Sequence, residues 1–195
     1  MFGQTHNVFC VPFHLGYVKP NMYAKDSIIK TIESNYTISP ERNKWGKKTN
    51  MSLHHEHGDW GNDQFECLDK TTLYSLYDKL VSEFFYQNRI EKKFNIDIVN
   101  YTAMKSHQGM SAHAHKEADF SLVHYVRVPK TPNRIFLYNP NTFDHILVDT
   151  EIELEPKEDM FVIFPGYIMH QIKPTKENND DCLRMAIVAN IEIDK

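Results

Sequence analysis

MFVIFPGYIMHQIK, residues Met160 to Lys173, carries the pattern that decides the fold of this chain. Met160 to Phe164 is a short apolar run that reads as a buried strand. Pro165 and Gly166 punctuate it, and Ile168 to Lys173 resumes a strand-like pattern with His170 inside. Outward from this stretch, β-branched and aromatic runs recur at Ile98 to Met104, Phe120 to Val128, Arg134 to Tyr138, His145 to Asp149 and Leu183 to Ile193. Several short strands separated by turns predict a double-sheet jelly roll, the double-stranded β-helix.

The first ninety-five residues read differently. Val8 to Phe13 is expected to open with a strand. A helix follows from about Asn21 to Asn35, with Pro20 at its start and Ile28, Ile29 and Ile32 on one face. Thr37 to Gln64 is polar and rich in turn formers, so it reads as a long loop of the kind that covers active sites. Asp69 is placed to cap a second helix, in which Leu73, Leu76, Tyr77, Leu80, Val81, Phe84 and Phe85 recur at helical spacing. A sheet rolled around a site leaves one apolar face to cover, so the helices are expected on the outer face of the larger sheet. The expected class is mainly β with supporting helices. One domain spans 1–195, with a helical and loop layer over 1–95 and the jelly-roll core over 96–195.

Composition is that of an ordinary globular protein, 41% hydrophobic and 25% charged. The net charge of −4 gives no basic face for duplex nucleic acid. Cys10, Cys67 and Cys182 are odd in number and scattered, which implies neither a disulfide framework nor a zinc motif and fits a reducing cytoplasm. The N-terminus has no basic lead and no long apolar core, so it does not read as a signal peptide, and no run approaches the roughly twenty apolar residues of a membrane span.

The chemistry concentrates in GMSAHAH (Gly109 to His115), FPGYIMH (Phe164 to His170) and RMAIVAN (Arg184 to Asn190). On an extended strand, residues two apart project from one face, so His113 and His115 can hold one metal ion. His170 arrives from a separate strand. Imidazole suits Fe, Zn, Cu and Ni, and three protein ligands leave open positions for a chelating co-substrate and O₂. Glu117 shares the parity of both histidines, so His115 and Glu117 with His170 form an alternative set, and parity does not separate the two. Arg184 interrupts an apolar strand and needs a buried anionic partner, unless it pairs at the surface with Asp180 or Asp181. The cluster His54, His55, Glu56, His57 lies in the polar loop, without the fixed geometry of an ion site, and reads as closer to substrate. His107 precedes a glycine turn, and His124 points away from its neighbour Tyr125.

These segments resemble the iron(II)- and 2-oxoglutarate-dependent oxygenases, specifically the small prolyl-hydroxylase-like oxygenases of bacteria and marine phages. Gly109, His113 and His115 are followed by Ser121, Val123 and Tyr125. Phe164, Pro165, His170 and Pro174 are followed by Arg184, Ala186, Ile187 and Asn190. The likeness runs roughly from Val99 to Glu192. It implies His113 and His170 as iron ligands, with His115 where prolyl hydroxylases carry aspartate, and Arg184 with Tyr125 on the far carboxylate of 2-oxoglutarate. The implied activity is hydroxylation of an unidentified small-molecule or protein side-chain substrate, with Fe(II) and 2-oxoglutarate as cofactors. Two other readings are a cupin-like three-histidine metalloenzyme without 2-oxoglutarate and a non-catalytic jelly-roll binding module.

Overall fold

Strict alternation along Arg184–Ile193 organises the molecule. Met185, Ile187, Ala189 and Ile191 are fully buried in one hydrophobic cluster, while Ala186 and Val188 belong to a second cluster on the opposite face. Arg184, Ala186, Val188 and Asn190 all line one cavity on that second face. Side chains of period two have sorted one strand into a core side and a cavity side.

The computed structural model describes residues 11–38, 54–56, 68–140, 151–175 and 182–194. In chain order the elements are β1 (His14–Tyr17), a 3-10 turn (Pro20–Met22), α1 (Lys25–Ile38), β2 (His54–Glu56), α2 (Thr71–Gln87) and β3 (Phe94–Met104). There follow β4 (Met110–His113), β5 (Phe120–Arg127), β6 (Ile135–Tyr138), β7 (Glu151–Leu154), β8 (Met160–Pro165), β9 (His170–Ile172) and β10 (Arg184–Ile193). One sheet runs β1-β8-β5-β10-β3-β2 and the other β4-β9-β6-β7. Every described pairing is antiparallel.

On the core side, α2 contributes Leu73, Leu76, Tyr77, Val81, Phe84 and Phe85 to the cluster that contains Leu122, Phe161, Ile163 and Ile187. Phe84 and Phe85 meet Phe120 edge to face at 5.1 and 5.9 Å between ring centroids. Ile28, Ile29 and Ile32 of α1 join the same cluster, and Asn35 donates to the Tyr101 hydroxyl at 2.5 Å. The start of α1 is tied to the turn before β8: Tyr23 and Lys25 both reach the Asp159 carboxylate, at 2.6 Å each.

Several boundaries differ from the sequence reading. The first described strand is His14–Tyr17; of the strand expected at Val8 to Phe13, residues 8–10 lie outside the described residues and 11–13 are coil. The first helix begins later, because Pro20 starts a separate 3-10 turn. Asp69 accepts from the Thr71 N–H at 2.9 Å, yet Lys70 occupies the cap position itself. His54–Glu56, read as loop, is an edge strand paired with β3 through its backbone. The strand expected at His145 to Asp149 lies outside the described residues.

His124 faces the core side, away from the cavity. Its Nδ1 lies 3.1 Å from the Tyr77 hydroxyl, Tyr23 stacks edge-on at 4.8 Å, and its Nε2 has no partner among the described residues. Burial pushes its pKa down to about 4, with the Asp159 charge opposing and Lys25 assisting. The unfolded chain therefore binds a proton that the folded state refuses between pH 6.5 and about 4. The neutral state's advantage is fully present above pH 6.5 and lost as pH falls through this window, up to about 3 kcal/mol. His124→Gln should show a shallower pH dependence of urea unfolding there, by about 1.4 kcal/mol per pH unit. Equal slopes for variant and wild type would contradict this placement.

Candidate metal and co-substrate site

The four-stranded sheet brings His113 opposite His170, as paired residues of its neighbouring strands β4 and β9. β4 ends at His113, so His115 comes from the loop that follows. The ligand nitrogens of His113, His115 and His170 all lie within 4.8 Å of one another. Ring centroids are 5.5 Å apart for His113 and His115, 4.2 Å for His113 and His170, and 5.2 Å for His115 and His170.

Each imidazole is oriented by its Nδ1. His113 donates to the Ser111 carbonyl at 2.9 Å and His170 to the Ile168 carbonyl at 3.0 Å. His115 donates to Asn190 Oδ1 at 2.9 Å, with Ser121 Oγ at 3.2 Å from the same nitrogen. A carbonyl oxygen can only accept, so Nδ1 carries the proton and Nε2 keeps its lone pair for an ion. Burial lowers the pKa of all three, that of His170 to about 3 with help from the neighbouring His113. At neutral pH the set is uncharged, the form a metal requires.

Close backbone packing fixes the His115 loop. The His115 N–H donates to the Gly166 carbonyl at 2.8 Å and the Gly166 N–H to Asp119 at 3.0 Å. A Cβ on Gly166 would lie 2.2 Å from the Ala118 carbonyl oxygen and 2.6 Å from that of His115. Gly166→Ala must therefore displace this loop. Metal affinity should fall roughly 10–100-fold, the usual loss when a ligand's support is removed. A Co(II) titration matching wild type would refute that.

Behind the histidines, Arg184 is 1% exposed. Its Nη1 reaches only the Met104 sulfur at 3.9 Å, its Cζ lies 4.9 Å from the centre of the Tyr125 ring, and its Nε has no hydrogen-bond partner among the described residues. The Tyr125 hydroxyl is also buried and unpartnered there. Burial raises the Tyr125 pKa and lowers that of Arg184, and the closeness of the two groups to each other opposes both shifts without giving the Tyr125 hydroxyl proton or Arg184 Nε an acceptor. Two buried donors with no acceptor among the described residues are costly and suit an anion. Asp180 and Asp181, the surface alternatives, lie outside the described residues.

A cavity of about 540 Å³ reaches from Arg184 to the three histidines, lined between them by Thr102, Val123, Ala186 and Val188. Glu117 is exposed in the turn after His115 and touches the cavity mouth, but is not among the residues converging on a common ion position. Because the strand has ended, parity does not carry Glu117 inward with the histidines. Asn190 and Ser121 received no role from the sequence. The signal was there: in RMAIVAN, Asn190 has the parity of Arg184, and Ser121 has that of Tyr125.

Residues 100–190 match the family described as "Putative 2OG-Fe(II) oxygenase". Among solved structures, the chain is similar to an oxidoreductase of the 2OG-Fe(II) oxygenase family from Burkholderia pseudomallei, at 13% identity and a TM-score of 0.50. That likeness covers 63% of this chain and 57% of the other, so this chain spans little more than half its length. A prolyl hydroxylase from Trichoplax adhaerens, in complex with a hypoxia inducible factor peptide fragment, is 13% identical over 92% of this chain and 83% of its own, with a TM-score of 0.59. The viral collagen prolyl hydroxylase of Paramecium Bursaria Chlorella virus-1, in its 2OG complex, is 12% identical over 92% and 94%, with a TM-score of 0.55. At these identities the structural likeness speaks for the fold. No curated protein matches the sequence.

Proposed function

We infer that this chain, whose residues 100–190 match the 2OG-Fe(II) oxygenases, is an Fe(II)- and 2-oxoglutarate-dependent oxygenase acting on a C–H bond of a small molecule or protein side chain. We read the two sheets as one jelly-roll domain with α1 and α2 as its outer layer, working in a reducing cytoplasm. No described helix is long and apolar enough to cross a membrane. The observation that carries the functional reading is the pairing of three convergent imidazoles with a buried arginine that meets no carboxylate among the described residues.

In this account His113, His115 and His170 hold iron through Nε2. Arg184 and Tyr125 donate to the far carboxylate of 2-oxoglutarate, the planar guanidinium fixing it through charge-assisted hydrogen bonds. With iron(II), 2-oxoglutarate and O₂ bound, that set supplies the chemistry: C–H becomes C–OH, and the keto acid leaves as succinate and CO₂. Val123, Ala186 and Val188 keep the intervening walls apolar, which strengthens each polar contact in the pocket and limits competing reactions. The three-histidine donor set by itself also suits a metalloenzyme that uses no keto acid; Arg184 separates the two.

His115→Ala should lose iron while Glu117→Ala retains it at wild-type stoichiometry, read by metal analysis after anaerobic loading. The reverse result would make Glu117 the third ligand, and mild, equal effects would leave a two-histidine site completed by water.

A further inference from the structure

Asn100 stands on the cavity side of β3 with an unmet requirement. Its Oδ1 is buried and has no hydrogen-bond partner among the described residues, and the residue lines the cavity. A buried amide oxygen without a donor is destabilising, so such a group is usually satisfied by a ligand or an ordered water.

Register says which end of the cavity Asn100 serves. It pairs with Val188 of β10, two residues from Asn190, which orients His115, and four from Arg184. At about 3.4 Å per residue, those are steps of about 7 and about 14 Å along the strand. Asn100 thus belongs to the histidine end. Ionised 2-oxoglutarate offers only acceptors, so it cannot satisfy Oδ1. The donor has to come from water or from the molecule being oxidised.

We propose that the substrate subsite beside the three histidines selects an aliphatic group bearing an N–H donor, an amine or a secondary amide, which Asn100 Oδ1 accepts. This rests on the oxygenase reading given above. Val99, Met110, Ile135 and Ile172 give the cavity apolar walls for the aliphatic part. At the mouth, exposed Asp97 and Glu117 outnumber exposed Lys116, which favours a protonated amine over a neutral hydroxyl. A prolyl ring within a peptide has no N–H and could not meet this requirement itself.

The test is a ¹H–¹⁵N titration of the Zn(II)-loaded protein with 2-oxoglutarate, following the backbone amide of residue 100, which wild type and every variant share. The probes are isobutylamine, N-methylacetamide and N,N-dimethylacetamide. Isobutylamine and N-methylacetamide should shift that amide saturably, and N,N-dimethylacetamide should bind about tenfold more weakly. Asn100→Leu should erase the difference, while Asn100→Asp, which keeps an acceptor, should preserve it. Equal binding of the two amides to wild type, retained discrimination in Asn100→Leu, or no shift with any probe overturns the subsite and leaves Oδ1 to water. The amide pair is also titrated without zinc and keto acid. If 2-oxoglutarate leaves the spectrum unchanged while the amides still discriminate, the oxygenase reading fails and the subsite stands; the converse leaves the reading intact.

Discussion

His170→Ala is expected to bind no iron(II) under conditions in which wild type binds one equivalent, and His113→Ala should behave alike. Both side chains arise from directly paired strand positions, so the scaffold presents them together. Loss of an outer-shell partner alone weakens metal binding about 10–100-fold, and loss of one of three direct ligands must cost more. His170 is 4% exposed and meets Phe164 edge-on at 5.1 Å, so its removal also leaves a gap in the inner wall. Circular dichroism separates a folded, metal-free variant from an unfolded one. Undiminished iron in either folded variant would remove that histidine from the ligand set.

Arg184→Met should retain iron and lose most of its affinity for 2-oxoglutarate. The variant deletes charge-assisted hydrogen bonds worth roughly 1.5–3 kcal/mol, about ten- to a hundredfold or more in dissociation constant. Arg184→Lys should recover only part, because an ammonium does not reproduce the planar fork. A second effect has the opposite sign. Without an anion, the wild-type guanidinium is a buried charge facing Met104 and Tyr125, so the ligand-free Arg184→Met protein should be as stable as wild type or more so. Wild type alone should then gain stability from 2-oxoglutarate, about 2.7 kcal/mol at a hundred times its dissociation constant. Thermal unfolding with and without the keto acid reads both effects. Equal stabilisation of the two proteins would contradict the assignment.

What the sequence made legible follows from periodicity and burial. In β5, β8 and β10 both faces are buried, so the apolar runs are long and dense, and the parity of Arg184 and Tyr125 puts them on one side. α2 was readable from its heptad-like spacing. β7 was not, because its EIEL is exposed at three of four positions and shows no buried face. β2 is three polar residues held by backbone pairing, a bond pattern that leaves no trace in side-chain composition. The choice between His115 and Glu117 could not be made from parity, since β4 stops at His113 and its pairing with β9 shifts register between Met110 and His113. The support that Asn190 and Gly166 give His115 depends on contacts across 75 and 51 positions of chain, which a local pattern does not encode.

The central claim is that one pocket binds iron and a keto acid together. Anaerobic titration of the Fe(II)-loaded wild-type protein with 2-oxoglutarate tests it most directly, because a metal-to-ligand absorption band develops only when the keto acid chelates the iron. The expected result is a band that saturates at one equivalent and is strongly right-shifted in Arg184→Met. A wild-type protein that holds iron yet shows no band at saturating 2-oxoglutarate would contradict it and leave a three-histidine metalloprotein that uses no keto acid.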